Sequence, residues 1–435
     1  MMRKESLEAI RELERIDIEL LHKLYLFRCL TIRQAYRELY KKIYDNFLDF
    51  ENVRLEKLIR LGIVEKVNFQ IDNHALFLTT SGVDIVRAAV QLPTEIFNAD
   101  TKTFKRGYYR AGELRMHPRL INHQVHLNQF VLEFMAQARD LGHRWTYFDE
   151  KHVSQYFTIR PDGLIQIYDT DFFIEMDMGT ENQKQLNDKW NHYRDFFRSQ
   201  EYNEKEKKII VLFITQTSRN VDARKDIVRY TASQSLIDVF GEGFDMHIGS
   251  REELLQMIFN ELIPDMVQQN DTKSKILRLL QQYHGFRIAP GEKLSKMLHD
   301  TTYEYYIRRL NEDGDIRSNF GRIQEYILDD YTTQPLSVLH KIVYHKRNAN
   351  SYRLKMERTI PYIVVGKDEK TLYKDLHVTD IRNLENIFFT TVERLEKKTF
   401  HEALFIIDPQ GNLYHFKNDG LSERVYESNV REDLI

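Results

Sequence analysis

Two short acidic motifs lie near the ends of neighbouring predicted strands. Asp162 stands in Arg-Pro-Asp-Gly, and Glu175 and Asp177 follow in Phe-Phe-Ile-Glu-Met-Asp, with strands predicted over 159–168 and 172–176. Adjacent strands would bring these carboxylates together. Hard divalent cations bind carboxylate oxygens, stabilise the charge that develops in phosphodiester hydrolysis and lower the pKa of an attacking water. The pattern predicts a Mg²⁺ site with Asp162 and Glu175 as ligands and Asp177 as a further catalytic residue.

A lysine beside such a site would orient water and stabilise charge. A long helix is predicted over 181–197, and from it Lys184 or Lys189 could project back towards the acids. Lys189 completes the predicted catalytic set. The alternative interpretation, which the sequence leaves open, is structural: Asp162 and Asp177 would cap turns and Glu175 would pair with a neighbouring base.

The segment before these motifs has a second pattern with functional meaning. Apolar residues recur at helical spacing over 16–27, Thr31 is a good N-cap for a second helix, and a third helix over 51–61 ends at Gly62. Strands over 63–69 and 74–79 and a helix over 83–90 follow. Three helices and a hairpin in this order predict a winged helix.

Basic residues on the second and third predicted helices are the candidate DNA contacts: Arg33, Arg37, Arg54, Lys57 and Arg60. Lysine and arginine bind duplex DNA by neutralising phosphates, and arginine also reads guanine edges. Double-stranded DNA is therefore the expected partner. The alternative is that these charges form a solvated face, since winged helices also dimerise or bind other proteins.

Length and composition predict a multidomain protein. The chain has 435 residues, 42% of them hydrophobic and 30% charged, with a net charge of -3. A chain of this length is longer than one hydrophobic core usually stabilises. The small negative net charge predicts that any attraction to nucleic acid comes from local basic patches. We predict an α+β protein with these segments: a winged helix over 1–92, a linker over 93–116, a central α/β domain over 117–268, a helical region over 269–355 and an α+β domain over 356–435. An echo of residues 54–66 at 306–317 suggests a second winged helix.

Several classes of protein are disfavoured. Cys29 is the only cysteine, so an internal disulfide cannot form. No run of eighteen apolar residues predicts a membrane span, and no signal sequence is apparent at the amino terminus, so we expect a cytoplasmic protein. Neither a phosphate-binding Gly-x-x-x-x-Gly-Lys-Ser/Thr loop nor a dinucleotide-binding glycine motif occurs.

The acidic motifs resemble the PD-(D/E)XK nuclease superfamily over about residues 117–260. The resemblance consists of a leading helix with an acid at Glu133, Pro161-Asp162, Glu175-x-Asp177, a long helix and a buried strand. It implies a nuclease core that would use Mg²⁺ if active. The superfamily has a lysine where this chain has Asp177, so the resemblance leaves open whether the core is an enzyme or an inert scaffold.

The chain also resembles the replication-relaxation family of plasmids and mobile elements of Gram-positive bacteria. The winged-helix pattern, His123 and Asn128 on one helix, Arg160-Pro-Asp-Gly and the string from Phe173 to Glu181 carry this resemblance over about residues 15–260. It implies a role in replication, relaxation or mobilisation, with replication or mobilisation proteins as partners. The alternatives are a transcriptional regulator or assembly protein and a restriction or defence endonuclease. We also expect a homodimer on a palindromic site.

Overall fold

The computed structural model describes these residues: 9–70, 73–98, 103–150, 156–203, 207–216, 220–240, 243–267, 269–291, 303–309, 324–330, 332, 335–356, 359–382, 384–416 and 424–432. The chain forms two compact units. The first comprises 1–153 with 162–164, and the second comprises 154–161 with 165–435. Both contain helices and strands, so the predicted α+β class is confirmed. The predicted domain boundaries remain predictions.

The amino-terminal part of the first unit alternates short helices with a small sheet. Its elements are α1 (Arg15–Phe27), β1 (Leu30–Thr31), α2 (Ile32–Ala35, continued by Tyr36–Tyr40), α3 (Phe47–Asp49, continued by Phe50–Leu55 and Glu56–Arg60), β2 (Val64–Gln70), β3 (Asn73–Leu78) and α4 (Thr80–Ala89). Thr31 begins α2 with a reciprocal capping box, its side chain accepting from Gln34 N at 3.0 Å. The strands pair antiparallel in the order β1-β3-β2.

The rest of the first unit packs around a long helix. Its elements are β4 (Glu95–Asn98), β5 (Thr103–Arg106), α5 (Ala111–Leu114), α6 (Pro118–Asp140) and β6 (Trp145–Asp149). The segment predicted as a linker contains the antiparallel β4–β5 hairpin. Fully buried Asn128 on α6 donates to the carbonyls of Phe27 (3.1 Å) and Cys29 (2.6 Å). This amide satisfies carbonyls at the end of α1, so α6 is joined to the first helix.

The second unit begins with strands and crossover helices. Its first elements are β7 (Gly163–Ile167, where the chain enters this unit), β8 (Thr170–Asp177), α7 (Gln183–Arg198), α8 (Gln200–Asn203), β9 (Lys208–Thr215), α9 (Val221–Leu236), β10 (Phe244–Gly249) and α10 (Arg251–Met257, continued to Met266). Strands β8, β9 and β10 are parallel neighbours. The unbroken apolar run from Ile209 to Ile214 predicts a strand buried on both faces, and every residue of β9 after Lys208 is indeed buried.

An eight-stranded sheet in the order β11 to β18 follows. Its elements are α11 (Asp271–Arg278, continued to Tyr283), β11 (Phe286–Pro290), β12 (Tyr305–Arg309), β13 (Gln324–Asp330), α12 (Pro335–Met356), β14 (Tyr362–Gly366), α13 (Glu369–Val378), β15 (Ile387–Thr391), α14 (Val392–Lys397), α15 (Phe400–Ala403), β16 (Phe405–Ile407), β17 (Asn412–Phe416) and β18 (Arg424–Asn429). Strands β13, β14 and β15 are parallel, and the other pairings in this sheet are antiparallel.

One succession of elements therefore occurs twice in the second unit. The first is β8, α7, β9, α9 and β10, and the second is β13, α12, β14, α13 and β15. Each consists of three parallel strands with a long helix in each crossover, and in the first succession short α8 also lies between α7 and β9. In each, the first strand also has a neighbour that precedes it in the chain, β7 or β12. Because parallel strands present their carboxyl ends at one edge, equivalent side chains at these ends occupy equivalent places.

The carboxyl-terminal part differs most from the sequence predictions. The sequence over 380–397 predicts one helix, and this prediction is wrong: β15 occupies part of that range, and among its described residues the helix is Val392–Lys397. The apolar sequence over 402–408 predicts a strand, but residues 400–403 form a helix and the strand is shorter, Phe405–Ile407. The echo predicted near 306–317 lies mostly outside the described residues. Among the described residues, no helix combines the length and apolar character needed to cross a membrane.

Candidate functional site

The site is built around Glu175, a buried residue near the carboxyl end of β8. Its Oε2 accepts from Lys189 Nζ at 2.9 Å, and its Oε1 accepts from Tyr193 OH at 2.6 Å. Lys189 and Tyr193 are four residues apart on α7, so both face the sheet. Lys189 Nζ also lies 3.0 Å from Glu181 Oε1. We call Glu175, Glu181, Lys189 and Tyr193 the Glu175 cluster.

Asp177 holds the loop that leads into the helix of this cluster. Its carboxylate accepts from Arg224 Nε at 2.7 Å and from Arg224 Nη2 at 2.8 Å, and also from the backbone N of Gly179 at 3.0 Å. Arg224 Nη1 donates in turn to the carbonyl of Glu181 at 2.8 Å. A buried carboxylate held by a two-point arginine contact is fixed in place. Asp177, predicted as catalytic, therefore sits in a network that positions Glu181.

The Glu175 cluster opens into a cavity of about 560 Å³ within the second unit. The remaining lining residues come from the segment before β7 and from α7: Phe157, Thr158, Ile159, Arg160, Gln185, Asp188 and His192. Phe157 is 94% exposed, and Arg160 is exposed beside it. Glu181 Oε2 is buried and accepts no hydrogen bond from the described residues. The cavity thus combines an ammonium, carboxylates and an exposed aromatic ring.

Asp162 lies in the first unit, whereas Glu175 and Lys189 belong to the second. Asp162 Oδ2 is 3.3 Å from His123 Nε2, and both side chains are partly exposed. Glu133, on the same helix as His123, accepts from Gln129 at 2.7 Å. Among the described residues, no three His, Cys, Asp or Glu side chains are grouped to hold a metal ion. With both oxygens of Glu175 engaged, these residues form no ready ligand set, and Mg²⁺ remains a prediction.

The second succession of elements contains a matching acid and lysine. Asp329, near the carboxyl end of β13, accepts from Lys341 Nζ on α12 at 2.6 Å. Asp329 is thus the counterpart of Glu175 in the second succession, and Lys341 is the counterpart of Lys189. Exposure distinguishes the pairs, because the side chain of Lys341 is 2% exposed and that of Lys189 is 24% exposed. His345 follows Lys341 by four residues, as Tyr193 follows Lys189.

Further acids surround this second pair. The backbone N of Glu304 donates to Asp329 Oδ1 at 2.8 Å, and the backbone N of Asp330 donates to Glu304 Oε2 at 3.0 Å. Lys273 lies 2.9 Å from Glu304 Oε1. Burial, followed by the negative charge of Glu304, raises the pKa of Asp330 to about 7. We call Glu304, Asp329, Asp330 and Lys341 the Asp329 cluster.

Arg54, one of the predicted DNA contacts, is buried inside the first unit. Its guanidinium forms an ion pair with fully buried Asp17, with Nε donating to Oδ1 at 2.7 Å, and Nη1 lies 2.8 Å from Glu14 Oε1. Tyr40 OH donates to the same Asp17 oxygen at 2.9 Å. Burial and the charge of Asp17 raise the pKa of Tyr40 above its usual value. Arg54 therefore joins α1, α2 and α3 in the core.

The other predicted DNA contacts lie at the surface. Arg33, Arg37 and Arg60 are exposed, and among the described residues they form no ion pair. Lys57 is partly exposed and donates to the carbonyl of Glu12 at 3.0 Å. Lys41 and Lys42, which follow α2, are also exposed without an ion pair to a described residue. Four exposed cations without an ion pair to a described residue, Arg33, Arg37, Lys41 and Lys42, thus lie on α2 and just after it.

Sequence patterns missed several members of these sites. Tyr193 could have been found, because it follows Lys189 by one helical turn. Asp17 carries a signal too, as an acid on the apolar face of α1 beside Leu20, Leu21 and Leu24, where only a paired carboxylate is tolerated. Asp329 and Asp330 end a strand, as Glu175 and Asp177 do, but the sequence alone did not predict this strand.

Comparison with known proteins identifies one family. Residues 21–212 match the model of the replication-relaxation family, which confirms the resemblance found in the sequence for this part of the chain. The match covers the amino-terminal helices and sheet and extends through β8 and α7 into β9. Comparisons with curated proteins and with solved structures gave no significant match.

Proposed function

From the replication-relaxation match over residues 21–212, we propose that this protein acts in the replication or relaxation of a plasmid or mobile element by binding double-stranded DNA. The binding element is the amino-terminal part of the first unit, acting as a winged helix. Replication or mobilisation proteins are its expected partners. The family supports the biological setting, and the surface of the first unit supports the mode of binding.

The order of elements supports a winged helix. Three helices, α1 to α3, precede the β2–β3 hairpin, and short β1 adds the third strand of an antiparallel sheet. In proteins of this type one helix enters the major groove while the hairpin and another helix contact the backbone. Buried Arg54 and Asp17 keep the three helices in a fixed arrangement, which such docking requires.

The observation that carries the proposal is the set of exposed cations on and after α2. Arg33 and Arg37 are one turn apart, and Lys41 and Lys42 extend the same basic surface. Unpaired like charges repel one another, whereas a phosphate backbone neutralises them and releases its condensed counterions. A net charge of -3 for the whole chain makes this concentration a local feature.

Helix α3 offers a different kind of contact. Its exposed side chains include Leu48, Asn52, Val53 and Arg60. Asparagine and arginine hydrogen-bond to base edges, and apolar side chains contact the methyl group of thymine. We therefore assign phosphate binding to the surface of α2 and base contacts to α3.

Fluorescence anisotropy with a labelled DNA duplex, measured over a range of salt concentrations, tests this proposal. The variant Arg33→Ala/Arg37→Ala/Lys41→Ala/Lys42→Ala should bind at least tenfold more weakly. Its slope of log affinity against log salt should fall by about 3 to 4, since each phosphate contact contributes about 0.9. The control Lys184→Ala/Arg278→Ala/Arg287→Ala/Arg424→Ala removes four exposed charges of the second unit and should bind as wild type. Equal affinities for wild type and the α2 variant would refute the proposed surface.

A metal-dependent DNA endonuclease is the second candidate, favoured by the cavity at the Glu175 cluster. Lys189 reaches both Glu175 and Glu181, so an ammonium stands beside carboxylates at the wall of an open cavity. Supercoiled plasmid incubated with Mg²⁺ or Mn²⁺ tests it. Nicking by wild type, lost in Glu175→Gln and Lys189→Met, would establish an enzyme. Intact plasmid with normal DNA binding would favour a scaffold, as in a regulator or assembly protein.

A further inference from the structure

Helix α12 in the second unit has an unusual composition. Its 22 residues, Pro335–Met356, include no aspartate or glutamate but several lysine, arginine and histidine residues. From this helix and the groove beside it, we propose a second DNA-binding surface, which contacts the phosphates of duplex DNA. This inference rests on the proposed DNA-binding function and extends it to the carboxyl-terminal part of the chain.

The basic residues of α12 divide between two faces. Lys341 and His345 are buried, and Lys341 is neutralised by Asp329. Lys346, Arg347 and Arg353 are exposed, and among the described residues they form no ion pair. Lys346 and Arg353 are seven residues apart, so they share one side of the helix about 10 Å apart along its axis. Lys341 and His345 are thus part of the core, whereas no carboxylate among the described residues neutralises Lys346, Arg347 or Arg353.

A groove of about 430 Å³ lies along the exposed side. Lys346 and Arg347 line it from α12, Arg382 lines it from the segment after α13, and Ser233 and Gln234 line it from α9. Lys346 Nζ donates to the carbonyl of Arg382 at 2.6 Å, which fixes the ammonium at the groove. Three cations therefore meet at one opening.

Among the described residues that line the groove, Asp380 is the one acid. Asp380 Oδ1 is 2.6 Å from Arg382 Nε, with both side chains 60% exposed, so this pair contributes little to stability. The groove keeps an excess of positive charge on a protein whose total charge is negative. Exposed like charges repel, and phosphate oxygens would neutralise them, while the exposed side chain of Gln234 offers a further hydrogen-bond donor. Duplex DNA is the partner that presents such phosphates in a continuous row.

The test uses the full chain and the same labelled duplex. The variant Lys346→Ala/Arg347→Ala/Arg353→Ala should bind about five- to twentyfold more weakly at 0.1 M salt. Its salt slope should fall by about 2 to 3, from the loss of up to three phosphate contacts. The matched control Lys184→Ala/Arg278→Ala/Arg287→Ala removes the same charge elsewhere in the second unit. Thermal unfolding should be unchanged in both variants, since the altered side chains are exposed.

The outcomes separate this inference from the proposed function. Wild-type affinity in the α12 variant, together with weak binding by the α2 variant, would overturn the second surface and leave the first intact. An equal loss in the matched control would also overturn it, because charge alone would then explain the effect. If the α12 variant lost affinity for a labelled single strand but bound the duplex as wild type does, the assignment to duplex DNA would be refuted. No binding of duplex by wild type would refute both.

Discussion

The Glu175 and Asp329 clusters show how one arrangement of elements can place an acid and a lysine in two different environments. Each pair joins a strand end to the following crossover helix. Lys189 reaches a cavity, whereas Lys341 is sealed between sheet and helix. Water and ligands can reach the first pair. In the second pair, fixed protein contacts replace hydration, so neither partner can be removed without leaving the other buried and uncompensated.

The contacts around each lysine explain this division. Lys189 is shared between Glu175 and Glu181, and Glu181 retains a buried oxygen with no hydrogen-bond donor among the described residues. Lys341 contacts Asp329 alone among the described carboxylates, and Asp329 also accepts from a backbone amide. An acid and a lysine in contact are thus poor evidence of a catalytic site. Exposure and an adjoining cavity distinguish the two cases.

The largest expected effect is on the sealed pair. Lys341→Met should lower the free energy of unfolding by about 3 to 5 kcal/mol, because it leaves the Asp329 carboxyl buried without its cationic partner. Urea unfolding measures this change. Lys189→Met is the matched control and should cost far less, since Lys189 is partly exposed and Glu175 keeps Tyr193 as a hydrogen-bond donor. Similar losses in the two variants would break the distinction between the clusters.

The buried pair of the first unit extends the comparison. Arg54→Ala should destabilise the protein by about 3 kcal/mol, because Asp17 would remain buried with only Tyr40 as a side-chain donor. Arg37→Ala, a surface arginine of α2, should change stability by less than about 0.5 kcal/mol. Circular dichroism during urea unfolding measures both. A stable Arg54→Ala protein that fails to bind DNA would instead show that Arg54 contributes to DNA binding.

The Asp329 cluster should also make stability depend on pH. The pKa of Asp330 is about 7 in the fold and about 4 in an unfolded chain, so the folded state holds an extra proton between these values. Stability should therefore fall as pH rises from 5 to 8. Asp330→Asn should remove part of this fall, as measured by urea unfolding at both pH values. Buried Asp245, whose pKa is also raised to about 7 by burial, contributes in the same direction. An unchanged pH dependence in Asp330→Asn would show that this carboxyl ionises normally.

A smaller effect on stability is expected at the Glu175 cluster. Tyr193→Phe removes the 2.6 Å hydrogen bond to Glu175 Oε1 and should cost about 1 to 2 kcal/mol, the usual penalty for a buried acceptor that loses its donor. Thermal unfolding measures this. Glu175→Gln keeps the shape and serves as the control. If Tyr193→Phe lowered the free energy of unfolding more than Lys341→Met does, the Glu175 cluster would also be mainly structural.

The sequence predicts those elements whose signal is local. Helix α2 follows from Thr31 and its capping box, and β9 from one apolar run. Lys189 could be proposed from its helix, but its pairing with Glu175 depends on how that helix crosses the sheet. Arg54 is buried because it pairs with Asp17, 37 residues away, so its burial could not be predicted from the neighbouring sequence. Strand β15 resembled a helix, because short apolar strands and buried helices share the same pattern.

Lysine acetylation footprinting with and without duplex DNA tests the central claim most directly. Mass spectrometry reports the reactivity of each lysine in the intact chain. We predict that DNA protects Lys41 and Lys42 strongly and Lys346 as well, while exposed Lys184 remains reactive. Equal reactivity of Lys41 and Lys42 with and without bound DNA would contradict the assignment of DNA binding to the amino-terminal helices.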